Sequence, residues 1–382
     1  MNAEPSATRH PLVDLLVIGA GPAGLATAIA ARLAGLAVTV LDRAAPPIEK
    51  ACGEGLMPDA VARLTELGMD LGALESFPFR GIRYVDGETV AEGLFPGPGG
   101  LGVRRLALHQ ALARRAAEAG ADLRWGVTAR GPGAPESGGV ETDQGVFAAR
   151  FVVGADGLHS QVRRWAGLEA AREPREARRF GVRRHYTLRP WSDFVEVHWG
   201  PACEAYVTPV AADRIGVALL WSGAAKGFDD LLRRFPALAE RLAGAAPASR
   251  DRGAGPLYQR VRAVARGNVA LVGDAAGYLD AITGEGLAVA LHQAPALAAA
   301  IVKGDLAGYA AAHRRLGRLP AAITGIVLAL ERRPALRRRA IRALAAEPAL
   351  FSRLLGIHGR TLPPRRLGLD GALRLAWRLV TP

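Results

Sequence analysis

The sequence predicts an α/β fold in which a parallel sheet is interrupted by an inserted, mostly antiparallel β-sheet and followed by a helical C-terminus. Residues 14–43 read as an apolar strand, a glycine turn, an alanine-rich helix and a second strand, which is the βαβ unit of a parallel sheet. Residues 180–221 form the most strand-like block of the chain. Residues 267–277 return to a buried strand of the parallel type, and the sequence from residue 286 onward has a helical pattern.

The remaining elements follow from local signals. Residues 79–95 alternate and turn at Asp86-Gly87, as a β-hairpin does. Residues 104–120 predict an amphipathic helix closed by a glycine, and residues 140–157 predict two strands around a turn. We therefore expect a discontinuous first domain, an inserted second domain and a helical C-terminal segment, with these bounds: 1–78, 100–175 and 260–325; 79–99 and 176–259; 326–382.

The composition excludes several classes of protein. The chain of 382 residues has a formal charge of +13, and nearly all its basic residues are arginines. Cys52 and Cys203 are its two cysteines, which excludes a disulfide scaffold and a multi-cysteine metal site, and we predict no metal. The N-terminus has no secretory pattern and no apolar run predicts a transmembrane helix, so we expect a cytoplasmic protein.

A glycine-rich loop between the first strand and the first helix predicts a dinucleotide site. Gly19 permits a tight turn, Gly21 lets the backbone approach a pyrophosphate, and Gly24 lets the helix pack on the sheet. Pro22 and Ala23 complete the GAGPAG loop. The pyrophosphate is stabilised by the free N–H groups and the positive end of the helix dipole.

An acid follows at the position that such a site requires. Asp42 ends the second strand and can accept hydrogen bonds from ribose hydroxyls, and we include the adjacent Arg43 among the cofactor-binding residues. The loop and the acid together predict a dinucleotide, but they do not separate NAD from FAD.

Two later motifs indicate which class of dinucleotide-binding protein the sequence resembles. GADGLHSQVR (154–163) and GDAAGYLDAITGEG (273–286), together with GAGPAG (19–24), resemble in order and spacing the three fingerprints of FAD-dependent oxidoreductases of the para-hydroxybenzoate hydroxylase superfamily. The resemblance spans residues 12–300. It implies a Rossmann-like FAD-binding domain of the glutathione reductase type, with the inserted antiparallel sheet as the substrate domain.

The resemblance implies roles for single residues. Asp274 matches the aspartate that binds the ribityl chain of FAD. Asp156 and Gly157 match a motif beside the pyrophosphate and the approach of NAD(P)H, the expected reductant. Arg105 begins an R-x-x-L-x-x-x-L pattern whose arginine contacts FAD in this family.

The glycines that end the third motif have a chemical reason. Reduced flavin carries negative charge around N1 and the C2 carbonyl. Backbone N–H groups at Gly284, Glu285 and Gly286, at the start of a helix, would stabilise that charge. A side chain on these glycines would strike the flat ring.

Within the superfamily, two stretches resemble the geranylgeranyl-reductase-like branch, which reduces prenyl double bonds. KACGEGLMP (50–58) and the 273–286 motif carry this resemblance, which implies that Cys52 and residues 53–55 border the reaction site. Two features depart from the branch. EAYVTPV (204–210) lacks the tryptophan and phenylalanine of the usual substrate motif, and Ala281 replaces a proline in the flavin loop. The tryptophan motif of flavin halogenases is absent from the sequence.

These observations leave three functional expectations. The first is an NAD(P)H-dependent single-component monooxygenase of secondary metabolism, which uses O2 to hydroxylate or epoxidise a lipophilic aromatic or polyketide-like molecule. The second is a prenyl or alkene double-bond reductase, and the third is a nucleic-acid- or carrier-binding protein with a secondary flavin. As catalytic candidates we select Cys52, Tyr206 and His198, with His185 as a further proton donor.

The C-terminal residues 331–380 combine arginines with leucines at near-helical spacing. Such a segment either packs on the FAD domain or makes peripheral contact with an anionic membrane or an acyl carrier. No aromatic residues interleave with a basic groove, so we expect no nucleic-acid partner.

Overall fold

The computed structural model describes residues 9–133, 139–170 and 178–368. The strands are β1 (Arg9–Ile18), β2 (Val38–Asp42), β3 (Gly55–Leu56), β4 (Ser76–Phe79), β5 (Gly81–Asp86), β6 (Thr89–Leu94), β7 (Gly100–Val103), β8 (Asp122–Trp125), β9 (Ala129–Pro132), β10 (Val140–Thr142), β11 (Gly145–Gly154), β12 (Arg179–Thr187), β13 (Phe194–Gly200), β14 (Cys203–Ala211), β15 (Arg214–Ser222), β16 (Ala246–Pro247), β17 (Arg252–Ala254), β18 (Ala265–Arg266) and β19 (Val269–Leu271). The helices are α1 (Pro22–Leu33), α2 (Pro58–Glu66), α3 (Arg105–Glu118), α4 (Gln161–Trp165), α5 (Phe228–Leu232), α6 (Pro236–Arg241), α7 (Gly286–Lys303), α8 (Leu306–Glu331), α9 (Pro334–Ala346) and α10 (Pro348–His358).

The first sheet is built around β1, which pairs in parallel with β2 on one side and β11 on the other. Its strand order is β18-β19-β11-β1-β2-β8, and β9 and β10 extend it beside β11. Leu15, Leu16 and Val17 of β1 are fully buried, as expected of a central parallel strand covered on both faces. The predicted α/β class is confirmed.

The second sheet has the order β16-β12-β15-β14-β13-β5-β6, with β17 beside β12. Its strands are antiparallel to their neighbours except that β13 and β5 run parallel. The β5–β6 hairpin and the block from β12 onward come from distant parts of the chain, so this sheet ties two segments together. A small sheet of β3, β7 and β4 packs against β14 and links the two large sheets.

The C-terminal helices α9 and α10 pack against β6 of the second sheet. An added Cβ on Gly93 of β6 would lie 2.8 Å from atoms of both Leu355 and Phe351, so this close approach requires glycine. Ile341 and Leu344 of α9 are buried in the same apolar cluster. The arginine-rich segment is thus packed on the body of the protein through α9 and α10.

Two long helices connect the first sheet with this layer. α8 is continuous, so the domain boundary predicted at residue 326 falls inside a helix. Among the described residues, α7 is the one helix that is long and apolar enough to cross a membrane, and half of it is buried. It packs against α1, α2 and α8, which is the environment of a core helix.

Candidate active site

A cavity of about 1010 Å³ is lined by both large sheets, the 273–287 segment, α8 and α10. It brings together motifs that lie far apart in the sequence. The predicted site residues on its wall are Gly19, Gly21, Pro22, Ala23, Asp42, Arg43, Cys52, Arg105, Asp156, Gly157, Tyr206, Asp274, Gly284 and Gly286. Gly24, Glu285 and His198 are not part of the wall.

The glycines of the GAGPAG loop serve different purposes. Gly19 has a φ of +105°, and an added Cβ would lie 2.5 Å from the Ala155 carbonyl oxygen. An added Cβ on Gly24 would lie 1.9 Å from the Gly19 oxygen, so both positions are closed to a side chain. Gly21 faces open space, with the nearest atom, Arg105 Nη2, 3.9 Å from its added Cβ. The backbone at Gly21 is therefore exposed to whatever occupies the cavity.

Asp42 lies at the carboxyl end of β2, beside this loop. Its Oδ2 accepts the N–H of Ala20 at 2.8 Å, and its Oδ1 accepts the N–H of Ala44 at 2.9 Å. These bonds fix the carboxylate at the cavity wall. Each oxygen keeps a second lone pair that can accept a ribose hydroxyl.

Two cations face the same part of the cavity. The Arg105 side chain is 5 % exposed, and its Nη1 has no acceptor among the described residues. Burial lowers the pKa of this guanidinium, whereas the carboxylates of Asp274 and Glu54 raise it. Lys50 Nζ lies 3.8 Å from the position of an added Cβ on Gly157. A buried arginine without an acceptor is a site prepared for an anion.

Asp156 has a local structural role. Its Oδ2 accepts the N–H groups of Gln161 at 2.6 Å and Val162 at 3.2 Å, which caps the start of α4. Its Oδ1 is buried and has no partner within the described residues. The same carboxylate can therefore cap a helix and accept a bond from a ligand.

The 273–286 segment crosses the middle of the cavity. Burial raises the pKa of Asp274, and the charges of Lys50 and Arg105 oppose that shift. Gly284 has a φ of +69° and no atom within 4 Å of an added Cβ, so its backbone borders open space. Glu285 is not on the cavity wall, and its Oε2 lies 3.2 Å from Nε2 of His358 on α10.

These features fit FAD. The cavity offers bare backbone at Gly21 and Gly284, acceptors at Asp42 and Asp274, and cations at Arg105 and Lys50. The two cations lie where a pyrophosphate would be bound, between the GAGPAG loop and Gly157. These groups are spread along the cavity, as the binding of a dinucleotide requires.

Cys52 lies on the wall of the cavity. Its Sγ accepts the N–H of Glu54 at 3.3 Å. Burial and the neighbouring Glu54 carboxylate raise the pKa of the thiol, which therefore stays protonated at neutral pH. Cys52 is thus a neutral thiol and a poor nucleophile.

Tyr206 is also on the cavity wall, and its hydroxyl already has a hydrogen-bond partner. Its hydroxyl donates to the carbonyl oxygen of Ile282 at 2.7 Å, and burial raises its pKa well above the ordinary value. The bond ties β14 to the flavin loop. Tyr206 therefore acts first as a support for that loop.

The structure does not place His198, a predicted catalytic residue, on the cavity wall. Val195, Val197 and Trp199 of β13 line the cavity, and alternation along a strand places His198 on the opposite face. There its Nε2 lies 3.1 Å from Oε2 of Glu196. The alternation of apolar residues in FVEVHWG already predicts this orientation of His198.

A buried charge cluster, which the sequence did not indicate, holds the flavin loop to the second sheet. Arg179 of β12 donates to Glu204 at 2.6 Å and to Asp280 at 2.9 Å, and lies 3.5 Å from Glu331 at the end of α8. Burial raises the pKa of Glu204 to about 7, and the charges of Glu331 and Asp280 add to the shift. We call these four residues the Arg179 cluster.

The comparisons with known proteins agree with this geometry. Residues 12–200 match the family described as FAD binding domain. Digeranylgeranylglycerophospholipid reductase 1 of Methanopyrus kandleri is 32% identical over 302 residues, which cover 73% of this chain and 77% of that protein. A menaquinone reductase of Mycobacterium tuberculosis is 39% identical over 120 residues, which cover 30% of this chain and only 29% of the relative.

Solved structures show the same fold. A flavoprotein/dehydrogenase from Cytophaga hutchinsonii superposes with a TM-score of 0.82 at 19% identity and covers 97% of this chain and 98% of its own. A geranylgeranyl bacteriochlorophyll reductase-like protein from Thermoplasma acidophilum gives 0.68 at 22% identity, with 96% of each chain covered.

The fold, the cavity and these relatives define an FAD-dependent oxidoreductase. The chain belongs to the para-hydroxybenzoate hydroxylase superfamily and, within it, to the geranylgeranyl-reductase-like branch. The resemblance stated from its three motifs is confirmed.

Proposed function

We propose that this protein reduces a carbon–carbon double bond in a lipophilic, prenyl-like substrate, with FAD as cofactor and NAD(P)H as reductant. This proposal reverses the order of the two enzymatic expectations drawn from the sequence. The observation that carries it is the protonated Cys52 thiol on the wall of the cavity that fits FAD. Double-bond reduction requires a proton for the second carbon, and a protonated thiol on the cavity wall can supply it.

The substrate side of the cavity is apolar. The side chains that line it include Phe79, Ile82, Tyr84, Val195, Val197, Trp199, Leu220, Leu257, Ile323, Val327 and Leu355. Such a wall accommodates hydrocarbon and offers little to a polar substrate. The curated relatives that match most of the chain are named as reductases of a geranylgeranyl lipid, which supports the same class of substrate.

The chemistry divides between cofactor and protein. When bound and reduced, FAD supplies a hydride to one carbon of the double bond. The second carbon takes a proton, which Cys52 can release from its thiol. The apolar wall excludes water from the reacting carbons.

The test is anaerobic incubation of the FAD-loaded protein with dithionite and either digeranylgeranylglycerophospholipid or menaquinone. We expect each reduced bond to add two mass units to the lipid. Cys52→Ser should slow turnover at least tenfold, since general acid catalysis contributes roughly 10²–10⁴-fold. Cys203→Ser is the matched control, because that thiol is fully buried on β14 and is not part of the cavity wall. Equal rates in both variants would contradict the role of Cys52.

Monooxygenation is the second candidate. The loss of tryptophan and phenylalanine from EAYVTPV, and Ala281 in place of a proline, favour a substrate side unlike that of prenyl reductases. An aerobic reaction with NADPH and ¹⁸O₂ distinguishes the candidates. Incorporation of one labelled oxygen into a lipophilic aromatic probe, with no gain of two mass units by either lipid under dithionite, would replace the first proposal by this one.

We also propose that the enzyme works in the cytoplasm at the surface of an anionic bilayer, which would deliver such a substrate. α8 turns Ile323 and Val327 into the cavity and exposes Ala322 and Ile326 on its opposite face. Exposed arginines lie before and after this apolar stretch and on α9, and none forms an ion pair with a described residue: Arg314, Arg315, Arg318, Arg332, Arg333, Arg338, Arg339 and Arg342.

Vesicle sedimentation tests this contact. We expect binding to phosphatidylglycerol vesicles at low salt and none to phosphatidylcholine vesicles, since each arginine near an anionic surface contributes about 1 kcal/mol. Ile326→Glu should abolish binding, and Leu33→Glu, a matched change of an exposed leucine on α1, should not. If the wild-type protein does not bind anionic vesicles, the proposed membrane contact is wrong.

A further inference from the structure

The helix α8 separates the substrate side of the cavity from the outside of the protein. Its residues Ile323 and Val327 line the cavity, whereas Ala322 and Ile326 on its opposite face are exposed. One helix therefore lies between the apolar wall and the surface that we propose to contact a bilayer. The strands that line the same side are joined by ladders of hydrogen bonds, so they cannot part for a hydrocarbon chain.

Both ends of α8 are fixed to the body of the protein. Near its N-terminus, Tyr309 is fully buried, and its hydroxyl donates to the carbonyl oxygen of Leu271 in β19 at 2.7 Å. At its C-terminus, Glu331 lies 3.5 Å from Arg179. Any movement of this wall must therefore occur in the middle of the helix.

The middle of α8 is built from residues that disfavour a helix. Pro320 lies inside the helix and lacks the N–H that would donate to the carbonyl oxygen of Leu316. Gly317 and Gly325 flank the proline, and glycine inside a helix is less stable than alanine. Beyond the helix's own backbone, no atom lies within 4 Å of an added Cβ on either glycine, so packing does not require them. The weakness of this part of α8 is therefore a property of its own sequence.

Two hydrogen bonds from outside the helix hold its middle in place. Nη2 of Arg360, which follows α10, donates to the carbonyl oxygen of Leu316 at 2.8 Å. The hydroxyl oxygens of Thr324 and Thr283 lie 3.1 Å apart, and this bond ties the helix to the flavin loop. If the bond to Leu316 breaks, Arg360 keeps the carboxylate of Asp59, 3.8 Å from its Nε, as a partner. Opening the helix here thus breaks two hydrogen bonds and isolates no charge.

We propose that residues 317–327 of α8 form the entry through which the hydrocarbon chain of the substrate passes into the cavity, an inference that rests on the proposed reductase function. In the closed form, Ile323 and Val327 complete the apolar wall and help to exclude water. In the open form, the two hydrogen bonds are broken and the entry segment moves outward between its fixed ends. A chain from the bilayer then reaches the substrate side without passing the cofactor.

The first test needs no substrate and follows hydrogen exchange of the FAD-loaded protein by mass spectrometry. Gly317→Ala combined with Gly325→Ala should slow exchange in the entry segment roughly 5- to 30-fold, because two alanines make this part of the helix more stable. Gly131→Ala in β9 is the matched control, since its added Cβ also has no atom within 4 Å. Unchanged exchange of the entry segment in the double variant would overturn the inference.

A second variant should act in the opposite direction. Arg360→Asn removes the donor to Leu316, and asparagine tolerates the left-handed backbone that Arg360 adopts, with a φ of +54°. We expect exchange in the entry segment to become about tenfold faster, as for the loss of a hydrogen bond from a charged group. Exchange equal to that of the wild-type protein would show that Arg360 does not hold the segment closed.

The third test measures entry itself with parinaric acid, a fluorescent polyene, and oxidised FAD-loaded protein. In stopped-flow experiments, the double glycine variant should bind and release the probe more slowly by a similar factor, with little change in Kd, because an entry changes both rates equally. Arg360→Asn should speed up both rates. A change in Kd with an unchanged association rate would indicate an altered wall and would overturn the entry.

Lipid reduction under dithionite separates this inference from the proposed function. If the variants change exchange and probe binding as expected but the wild-type protein reduces no lipid, the entry is supported and the reductase function is wrong. If digeranylgeranylglycerophospholipid is reduced, the double glycine variant should do so about fivefold or more slowly. Lipid turnover and probe association at wild-type rates in that variant would overturn the entry.

Discussion

Charged groups are arranged differently on the cofactor side and on the substrate side of the cavity. On the cofactor side, Arg105 and Asp156 each keep a buried polar atom without a partner among the described residues. On the substrate side, Arg179 donates to Glu204 and Asp280, and Nε2 of His185 lies beside Oε2 of Glu54, so the charged groups there are directed at protein partners. A site that receives a charged ligand must leave groups open for it, whereas a site for hydrocarbon must satisfy its own groups first. Substitutions should therefore have different consequences on the two sides.

The largest effect is expected from the Arg179 cluster. Arg179→Met would leave three buried carboxylates without their cation, and breaking such a pair costs about 3–5 kcal/mol. Thermal unfolding should show a large loss of stability. Arg184→Met on the same strand is the control, because Asp229 and Asp251 are more exposed than the partners of Arg179. Equal losses in the two variants would remove the contrast between the two sides.

The next effect depends on pH. The pKa of Glu204 is raised to about 7 in the folded state, so its stabilising contribution is complete below its ordinary pKa and is lost as pH rises toward 7. This contribution of Glu204 to the free energy of unfolding is about 3 kcal/mol. Glu204→Gln should remove this slope from a series of denaturant titrations between pH 4.5 and 8. The exposed Glu240→Gln should retain it.

On the cofactor side, we expect loss of FAD with little loss of fold. Arg105→Ala removes a charged donor, and a hydrogen bond to a charged group contributes about 1.5–3 kcal/mol, which is roughly 10- to 150-fold in FAD affinity. Equilibrium dialysis with fluorescence detection measures the change. Arg114→Ala, on the exposed face of the same helix, should bind FAD normally. A large drop in melting temperature of the cofactor-free Arg105→Ala protein would mean that the two sides do not differ.

The smallest effect on FAD affinity is expected from Tyr206, where the cofactor side and the substrate side of the cavity meet. Tyr206→Phe removes the bond to Ile282, and a neutral hydrogen bond contributes about 1 kcal/mol. FAD affinity should fall about fivefold while the protein stays folded. Tyr186→Phe, on β12 of the same sheet, should leave FAD affinity unchanged. No change in Tyr206→Phe would show that the bond to Ile282 does not contribute to FAD binding.

Sequence reasoning reached the cofactor side more fully than the substrate side, and the reason is physical. Gly19 and Gly24 are required by contacts within one βαβ unit, so a short pattern reveals them. Glu54 and His185 are 131 residues apart and meet only because β12 has a particular register in the second sheet. Periodicity would have placed His198 on the outer face of β13, but no local pattern indicates that Arg179 meets Asp280.

The Arg179 cluster has a consequence for how the protein unfolds. Its three acids come from β14, from the flavin loop and from the end of α8, so all three contacts to Arg179 form only when these segments are in place. Neither sheet can separate from the other without uncovering these groups. We therefore expect one cooperative calorimetric transition for the whole chain, in which the two sheets melt together although each has its own apolar core.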